Sequence, residues 1–197
     1  VVFYDLETTG LNFYHSAIIE VCGIYIDDDG ETKVFSNLCK PPHDKLPISH
    51  RITQITGIND EMISEAASEE KVLRRFVYFA SQYQGTVYFV AHNNHGFDML
   101  FLKARCKAYG IRLPTKIRFL DSILLAKLLF GGKDSYSMKS LCRDFGIKQV
   151  NAHRALDDTK CLKKLMEKLM DQFGERKSYQ KLNSQNREIL YDMAWKE

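Results

Sequence analysis

The stretch VVFYDLETTG, residues 1–10, joins a short apolar run to two acidic residues, Asp5 and Glu7. A run of this kind is typical of a central strand, and TTG is typical of the turn that follows it. Because side chains alternate along a strand, Asp5 and Glu7 share one face and can hold a common cation. Two like charges in a partly buried place are unfavourable unless a metal or an arginine neutralises them. The pair therefore predicts a metal site at the end of a strand.

Further strands are predicted on both sides of the chain's first helices. Residues 16–26 and 33–39 are rich in β-branched and aromatic residues, and the acidic turn DDDGE joins them. Residues 86–93 and 116–121 alternate with helical segments. Three successive strands predict a meander, and the later alternation predicts parallel strands, so we expect an α/β protein with one mixed sheet flanked by helices.

Polar residues mark the starts of several predicted helices. Asn59 is placed to cap the second of two short helices that Gly57 separates, and another helix starts at about Ser68. Asp98 falls in the first turn of the helix FDMLFLKARCKAYG. Asp121, before SILLAKLL, is typical of a helix cap more than of a metal ligand.

The length of 197 residues fits one catalytic domain, residues 1–174, with a C-terminal helical extension over residues 175–197. A long amphipathic helix is predicted from His153 to Gly174. Apolar runs stay short of the roughly 18 residues that cross a bilayer, and the first residues lack the features of a signal peptide. We expect a soluble intracellular protein, cytoplasmic or nuclear, that is neither secreted nor bound to membranes.

The five cysteines do not have the number or the spacing of a disulfide framework. Their number is odd and no CxxC pair occurs among them: Cys22, Cys39, Cys106, Cys142 and Cys161. Because most lie among apolar neighbours, they are predicted to be buried free thiols. This pattern argues against a zinc site, whose thiolate ligands come in closely spaced pairs.

Charge is distributed unevenly along the chain. Residues 1–100 carry 7 Lys/Arg against 14 Asp/Glu, whereas residues 101–197 carry 21 against 11. An acidic region that holds cations beside a basic region that holds phosphates suits a metal-dependent nuclease, but a solvated basic helical surface gives the same count. The same two readings apply to four lysines of the last long helix, Lys160, Lys163, Lys164 and Lys168.

Two more segments carry candidate functional residues. Asp98 follows VAHNNHGF, where a strand gives way to a helix and where sites collect in such sheets, although an acid there also suits a helix N-terminus. His153 and Asp158 are five residues apart in NAHRALDDTK, beside basic turns of a helix. A histidine beside two aspartates in this setting favours a catalytic role.

Taken in order, DLETTG, AHNNHGFD and HRALDD resemble the three motifs of the DEDDh (DnaQ-like) 3′→5′ exonucleases. The resemblance covers residues 1 to about 170, and SYSMKSL is most similar to the three-prime repair exonuclease (TREX)-like members. A proline-rich insertion of those repair enzymes is missing, so their partners are not carried over. The family implies a ribonuclease H-like fold with a central five-stranded sheet.

The resemblance also implies a role for each acidic residue. Asp5 would bridge two Mg²⁺ ions, for which Mn²⁺ can substitute, Glu7 and Asp158 would complete the first metal site, and Asp98 would hold the second, largely through water. His153 would activate the attacking water. Asp158 is chosen over its neighbour because the motif places four residues between histidine and aspartate.

Substrate contacts are implied for two further segments. In the family the turn after the first motif meets the terminal nucleotide through backbone groups and an apolar wedge, which here are Thr8, Thr9, Gly10 and Leu11. A simple turn is the alternative for these residues. His92 and Asn93 would line the nucleotide pocket, although His92 could equally be buried beside its strand.

The predicted function is therefore a hydrolase that releases nucleoside monophosphates from the 3′ ends of nucleic acid, single-stranded DNA being favoured and RNA allowed. Single strands are favoured because an unpaired end yields its last nucleotide at lower cost. Two alternatives are a catalytically silent nucleic-acid-binding or scaffolding module, and an endonuclease or nucleotidase on the same scaffold. The resemblance also allows a homodimer.

Overall fold

Five strands form one mixed sheet in the order β3-β2-β1-β4-β5 in the computed structural model, which describes residues 1–27, 30–82, 85–149 and 154–177. The strands are β1 (Val2–Thr8), β2 (Ile18–Ile26), β3 (Thr32–Leu38), β4 (Val87–Ala91) and β5 (Ile117–Asp121). β1 pairs antiparallel with β2, which pairs antiparallel with β3. β4 lies parallel to both β1 and β5. The predicted meander and the predicted parallel additions are both confirmed.

The central strand β1 extends two residues further than its apolar run predicts. Glu7 pairs with Glu20 of β2, and Thr8 pairs with Ile18 across a shift in register. The amide of Thr9 then donates to the carbonyl of Ala17 at 2.9 Å, which holds the start of the turn. Asp5 and Glu7 consequently lie within the strand, at the end where its partners begin to diverge.

The described residues also form seven α-helices, of which three lie between β3 and β4, one between β4 and β5, and three after β5. They are α1 (His50–Thr56), α2 (Asp60–Ser64), α3 (Glu69–Ser81), α4 (Asp98–Ala108), α5 (Ser122–Leu129), α6 (Met138–Asp144) and α7 (Ala155–Lys177). Side chains of Asn59, Ser68 and Asp121 accept backbone N–H groups at the starts of α2, α3 and α5. The predicted caps Asn59 and Asp121 are confirmed, and so is the predicted helix start near Ser68.

The last helix differs from its predicted bounds at both ends. α7 begins at Ala155, two residues after the predicted start, and continues to Lys177. The predicted boundary between residues 174 and 175 therefore falls inside a helix. The rest of the predicted extension, residues 178–197, lies outside the described residues, and the division of the chain there stays a prediction.

The two faces of the sheet are covered by different helices. Tyr4 of β1 packs in one core with Phe76 of α3 and Phe101 of α4. Phe3 packs in a second core with residues of α5, α6 and α7, including Leu165. Because side chains alternate along β1, Asp5 and Glu7 follow Phe3 onto the α7 side. The strand thus points its acidic pair at the layer that contains Asp158.

Two other sequence predictions concern the chain as a whole. All five cysteines are free and buried, as predicted. No helix within the described ranges is both long enough and apolar enough to cross a membrane.

The close packing of Phe76 of α3 against β2 can be tested by mutation. Phe76 is fully buried, and a Cβ added at Gly23 would lie 2.6 Å from its Cε2 atom. Phe76→Ala is expected to lower the free energy of unfolding by about 3–5 kcal/mol, because it leaves a cavity. Tyr78→Ala is the matched control on the same helix, since Tyr78 is 67% exposed. Urea unfolding of both variants checks this, and equal losses would contradict the assignment of Phe76 to the core.

Candidate active site

Three carboxylates from two distant parts of the chain meet beside the end of β1. Oxygen atoms of Asp5, Glu7 and Asp158 all lie within 4.8 Å of one another. The strand supplies the first two, and the first turn of α7 supplies the third. Oxygen donors this close suit a divalent cation.

Asp98 lies against the same strand from the other side of the cleft. It is the first residue of α4 and only 2% exposed, and its Oδ1 accepts the backbone N–H of Leu6 at 3.1 Å. This bond fixes Asp98 between the two acidic residues of β1. Asp98 does not belong to the group of three within 4.8 Å, although it lines the same cleft.

A cleft of about 300 Å³ joins these carboxylates to an apolar rim. Five of the six predicted substrate-binding residues line it, namely Thr8, Gly10, Leu11, His92 and Asn93. Leu11 is 84% exposed at the edge of the cleft. Thr9 is the exception, because its Oγ1 accepts the N–H of Ala17 at 3.0 Å and holds the turn instead.

Part of the rim was not predicted from the sequence. Ile52, Ile55 and Thr56 of α1 line the cleft, as does Phe97, which precedes α4. Ile55 is 43% exposed. Two isoleucines three residues apart on a short helix are a weak sign of an exposed apolar face, and the sequence does not show where α1 lies relative to β1.

Burial and repulsion from neighbouring carboxylates raise the pKa values of Asp5, Glu7 and Asp98. Burial raises the pKa of Asp5 well above its ordinary value, and the nearby Asp98 and Glu7 raise it further. Burial also raises the pKa of Asp98, which its hydrogen bonds partly oppose. The pKa of Glu7 rises to about 8, through burial and then through Asp158. A cation bound here would offset this repulsion.

The turn between β4 and α4 is held by the side chain of Asp121, the last residue of β5. Asp121 accepts N–H groups from Asn93 at 3.1 Å, from His95 at 3.0 Å and from Ile123 at 2.9 Å. Its predicted role as a helix cap is therefore confirmed, and it also shapes the turn. Asn93 has a left-handed φ of 64° within that turn.

His92 is half-buried at the cleft, and its contact with a nucleotide stays a prediction. Its ring lines the cleft, and its Nδ1 lies 2.8 Å from the hydroxyl oxygen of Ser122 beside the sheet. Burial lowers the pKa of His92 below its ordinary value, so the neutral imidazole is favoured.

A buried amide joins β1, β4 and β5 beneath this turn. Asn94 is fully buried, and its Nδ2 donates to the carbonyls of Phe89 and Leu120. Its Oδ1 accepts the hydroxyl of Tyr4 at 2.5 Å. Tyr4 precedes Asp5, so this bond joins the strand of the acidic pair to the turn that leads to Asp98.

Around α7 the structure separates the two adjacent aspartates. Asp158 Oδ1 accepts from Gln149 Nε2 at 3.0 Å and faces the acidic pair of β1. Asp157 lies 3.6 Å from Lys160 Nζ and is outside the group of three. His153 lies outside the described residues, so its role stays a prediction.

A cleft with converging carboxylates and an apolar rim is typical of metal-dependent enzymes that act on phosphate esters. The family model of exonucleases named RNase_T matches residues 2–166. The chain therefore belongs to this exonuclease family, and the resemblance to DEDDh, DnaQ-like enzymes is confirmed. The narrower likeness to TREX-like members stays a prediction.

Curated relatives with similar sequences are bacterial DNA polymerases. The chain is 32% identical over 185 residues to DNA polymerase III PolC-type of Caldanaerobacter subterraneus subsp. tengcongensis, covering 93% of the chain and 12% of the polymerase. It is 35% identical over 159 residues to the enzyme of the same name from Thermotoga petrophila, covering 81% of the chain and 11% of the polymerase. The chain thus spans about an eighth of the length of these relatives.

Solved structures with the same fold are exonucleases. Exonuclease I of E. coli in complex with a dT13 oligonucleotide has a TM-score of 0.71 at 17% identity, over 86% of this chain and 40% of that one. Exonuclease X in complex with 5′ overhanging duplex DNA has a TM-score of 0.64 at 23% identity, over 88% and 92%. These likenesses confirm the predicted ribonuclease H-like α/β fold.

The raised pKa of Glu7 predicts how stability depends on pH when no cation is bound. Between its ordinary value of 4.5 and about 8, the folded protein keeps a proton that the unfolded chain has released. The contribution of this proton to the free energy of unfolding is therefore complete below pH 4.5, and it is lost as the pH rises through about 8. Urea unfolding in EDTA should show the free energy of unfolding falling over this range. Glu7→Gln should flatten the fall, and an unchanged slope would contradict the assignment.

Proposed function

We propose that this chain is a 3′→5′ exonuclease that hydrolyses the terminal phosphodiester bond of nucleic acid with two divalent cations. The observation that carries the proposal is the convergence of Asp5, Glu7 and Asp158 within 4.8 Å, with Asp98 held in the same cleft. Asp5, Glu7 and Asp98 have raised pKa values, so a bound cation would relieve the cost of keeping their carboxylates charged in one small cleft. The four carboxylates match the number and kind of ligands that two cations need.

The donor set selects the metal. Carboxylate oxygens favour Mg²⁺ or Mn²⁺ over softer ions. Asp5, Glu7 and Asp158 would hold one ion, and Asp98 with Asp5 would hold the second, in line with the separate position of Asp98. Bound Mg²⁺ ions would neutralise the charge that develops on the phosphate and on the leaving 3′ oxygen.

Side chains of this protein would do the rest of the chemistry. His153, with an ordinary pKa of about 6.5, would take the proton of the attacking water near neutral pH. Thr8 donates its hydroxyl to the carbonyl of Gly10 at 2.7 Å, which holds the turn that would meet the terminal nucleotide. Leu11, Ile55 and other apolar rim residues would pack against its base.

Single-stranded DNA is the favoured substrate. A cleft of about 300 Å³ with an apolar rim suits a separated terminal nucleotide more than paired ends. The sequence similarity to DNA polymerases and the fold shared with an exonuclease solved with a dT13 oligonucleotide favour DNA. RNA is the alternative, since a 3′-exonuclease solved with a histone mRNA stem-loop shares the fold with a TM-score of 0.72 at 15% identity.

Direction and metal dependence are tested on end-labelled oligonucleotides. A 5′-labelled single strand incubated with Mg²⁺ should give a ladder that shortens one nucleotide at a time, and EDTA should abolish it. An RNA strand of the same sequence should be degraded more slowly. Internal cuts would indicate an endonuclease, and tight binding without any cleavage would indicate a silent binding module.

The adjacent aspartates of α7 offer a matched pair for mutation. Asp158→Asn is expected to lower turnover by about 10²-fold or more, because it removes an anionic ligand. Asp157→Asn changes the same chemical group one residue away, outside the group of three, and should keep turnover within about threefold. Initial rates at saturating oligonucleotide decide the matter, and similar losses in both variants would count against Asp158 as a ligand.

His153→Ala separates proton transfer from metal binding. Loss of a general base is expected to lower turnover by about 10²–10⁴-fold. Binding of Mn²⁺, measured by calorimetry, should stay at the wild-type level, because imidazole is no part of the proposed ligand set. A variant with wild-type turnover would remove the histidine from the mechanism.

A further inference from the structure

Glu20 is a buried acidic residue beside the four proposed metal ligands, but it is not one of them. Glu20, in the apolar strand β2, is only 3% exposed and lies opposite Glu7 in the pairing of β1 with β2. It is not a member of the group of three carboxylates among the described residues. A charged side chain buried in a strand needs partners, and both of its oxygens have one.

Both partners belong to the start of α7. Oε1 of Glu20 lies 3.2 Å from Nη2 of Arg154, the residue before the helix. Oε2 accepts the backbone N–H of Ala155, the first helical residue, at 3.1 Å. An N–H group in the first turn has no partner within its own helix, and negative charge is favourable at that end. Glu20 thus caps α7 from a strand that lies 135 residues earlier in the chain.

The capped turn also carries a proposed ligand. Asp158 follows Ala155 by three residues, so both lie in the first turn of α7. The bond to Ala155 holds the first residue of α7 against β2, and the pair with Arg154 holds the residue before it. Both contacts act on the turn that carries Asp158, so they bear on its position relative to Asp5 and Glu7.

We propose that Glu20 is a positioning residue of the metal site, which holds the start of α7 through Arg154 and Ala155 so that Asp158 meets the acidic pair of β1. The inference rests on the proposed function for its catalytic consequence. Its effect on cation binding depends only on the three clustered carboxylates. Groups that orient metal ligands commonly change metal affinity by about 10–100-fold when they are removed.

A second buried acid provides a matched control. Glu69 is 1% exposed, accepts the N–H of Ile18 at 2.8 Å and pairs with Arg105 at 2.6 Å. Its environment therefore resembles that of Glu20, but its partners lie outside α7, and Arg105 is two turns along α4 from Asp98. Glu69→Gln should destabilise the fold comparably while leaving cation binding unchanged.

The test measures Mn²⁺ affinity by calorimetry and turnover against Mg²⁺ concentration. Glu20→Gln keeps an acceptor for Ala155 but loses the charge that pairs with Arg154, so Mn²⁺ affinity should fall by about 3–10-fold. Glu20→Ala removes both bonds, and affinity should fall by about 10–100-fold. Saturating Mg²⁺ should restore most of the turnover of Glu20→Gln, because its ligands are intact. If Glu20→Ala does not fold, Glu20→Gln and Arg154→Met carry the test.

The outcomes separate the inference from the proposed function. If the wild-type protein binds Mn²⁺ but degrades no oligonucleotide, the proposed function is wrong and the positioning role is still measured by affinity. If the wild-type protein is active and Glu20→Gln binds Mn²⁺ as tightly as Glu69→Gln does, the positioning role is wrong. Additive losses in Glu20→Gln, Arg154→Met and the double variant would also overturn it, since partners in one contact should not add.

Discussion

Repulsion between buried carboxylates is the constraint on which this structure depends. Asp5, Glu7 and Asp158 bring their oxygens within 4.8 Å, and Asp98 lies in the same cleft. Like charges taken out of water oppose such an arrangement, as the raised pKa of Glu7 shows. The rest of the fold must therefore hold these groups in place in the absence of a cation. A bound cation then gains the most from a site that is already assembled.

Rigid elements meet that requirement from three directions. β1 is the middle strand of the sheet, so its backbone is bonded on both sides. The N–H of Leu6 holds Asp98, and Asn94 ties the preceding turn to Tyr4. Glu20 contacts Arg154 and Ala155 at the start of α7, the helix that carries Asp158. Side chains outside the group of three carboxylates thus hold the elements that bring this group together.

How much of this could be predicted depends on how local the cause is. Alternation along one strand placed Asp5 and Glu7 on a common face, and short-range caps such as Asn59 follow from hydrogen bonds within a few residues. The spacing of the third motif, with four residues between histidine and aspartate, selected Asp158 over Asp157. Contacts between segments far apart in the chain have no local sequence pattern that predicts them. Glu20 is conspicuous as a charged residue within the apolar run IIEVCGIYI, but nothing in the sequence pairs it with Arg154. The place of α1 against the cleft likewise depends on how the whole sheet folds.

The central claim is that these four carboxylates hold two cations. Crystals grown with Mn²⁺ and measured at a wavelength where manganese scatters anomalously test it most directly. The account predicts two anomalous peaks about 3.5–4 Å apart, with Asp5 touching both and Asp98 nearest the second. An empty acidic cleft in crystals that bind Mn²⁺ elsewhere would contradict it.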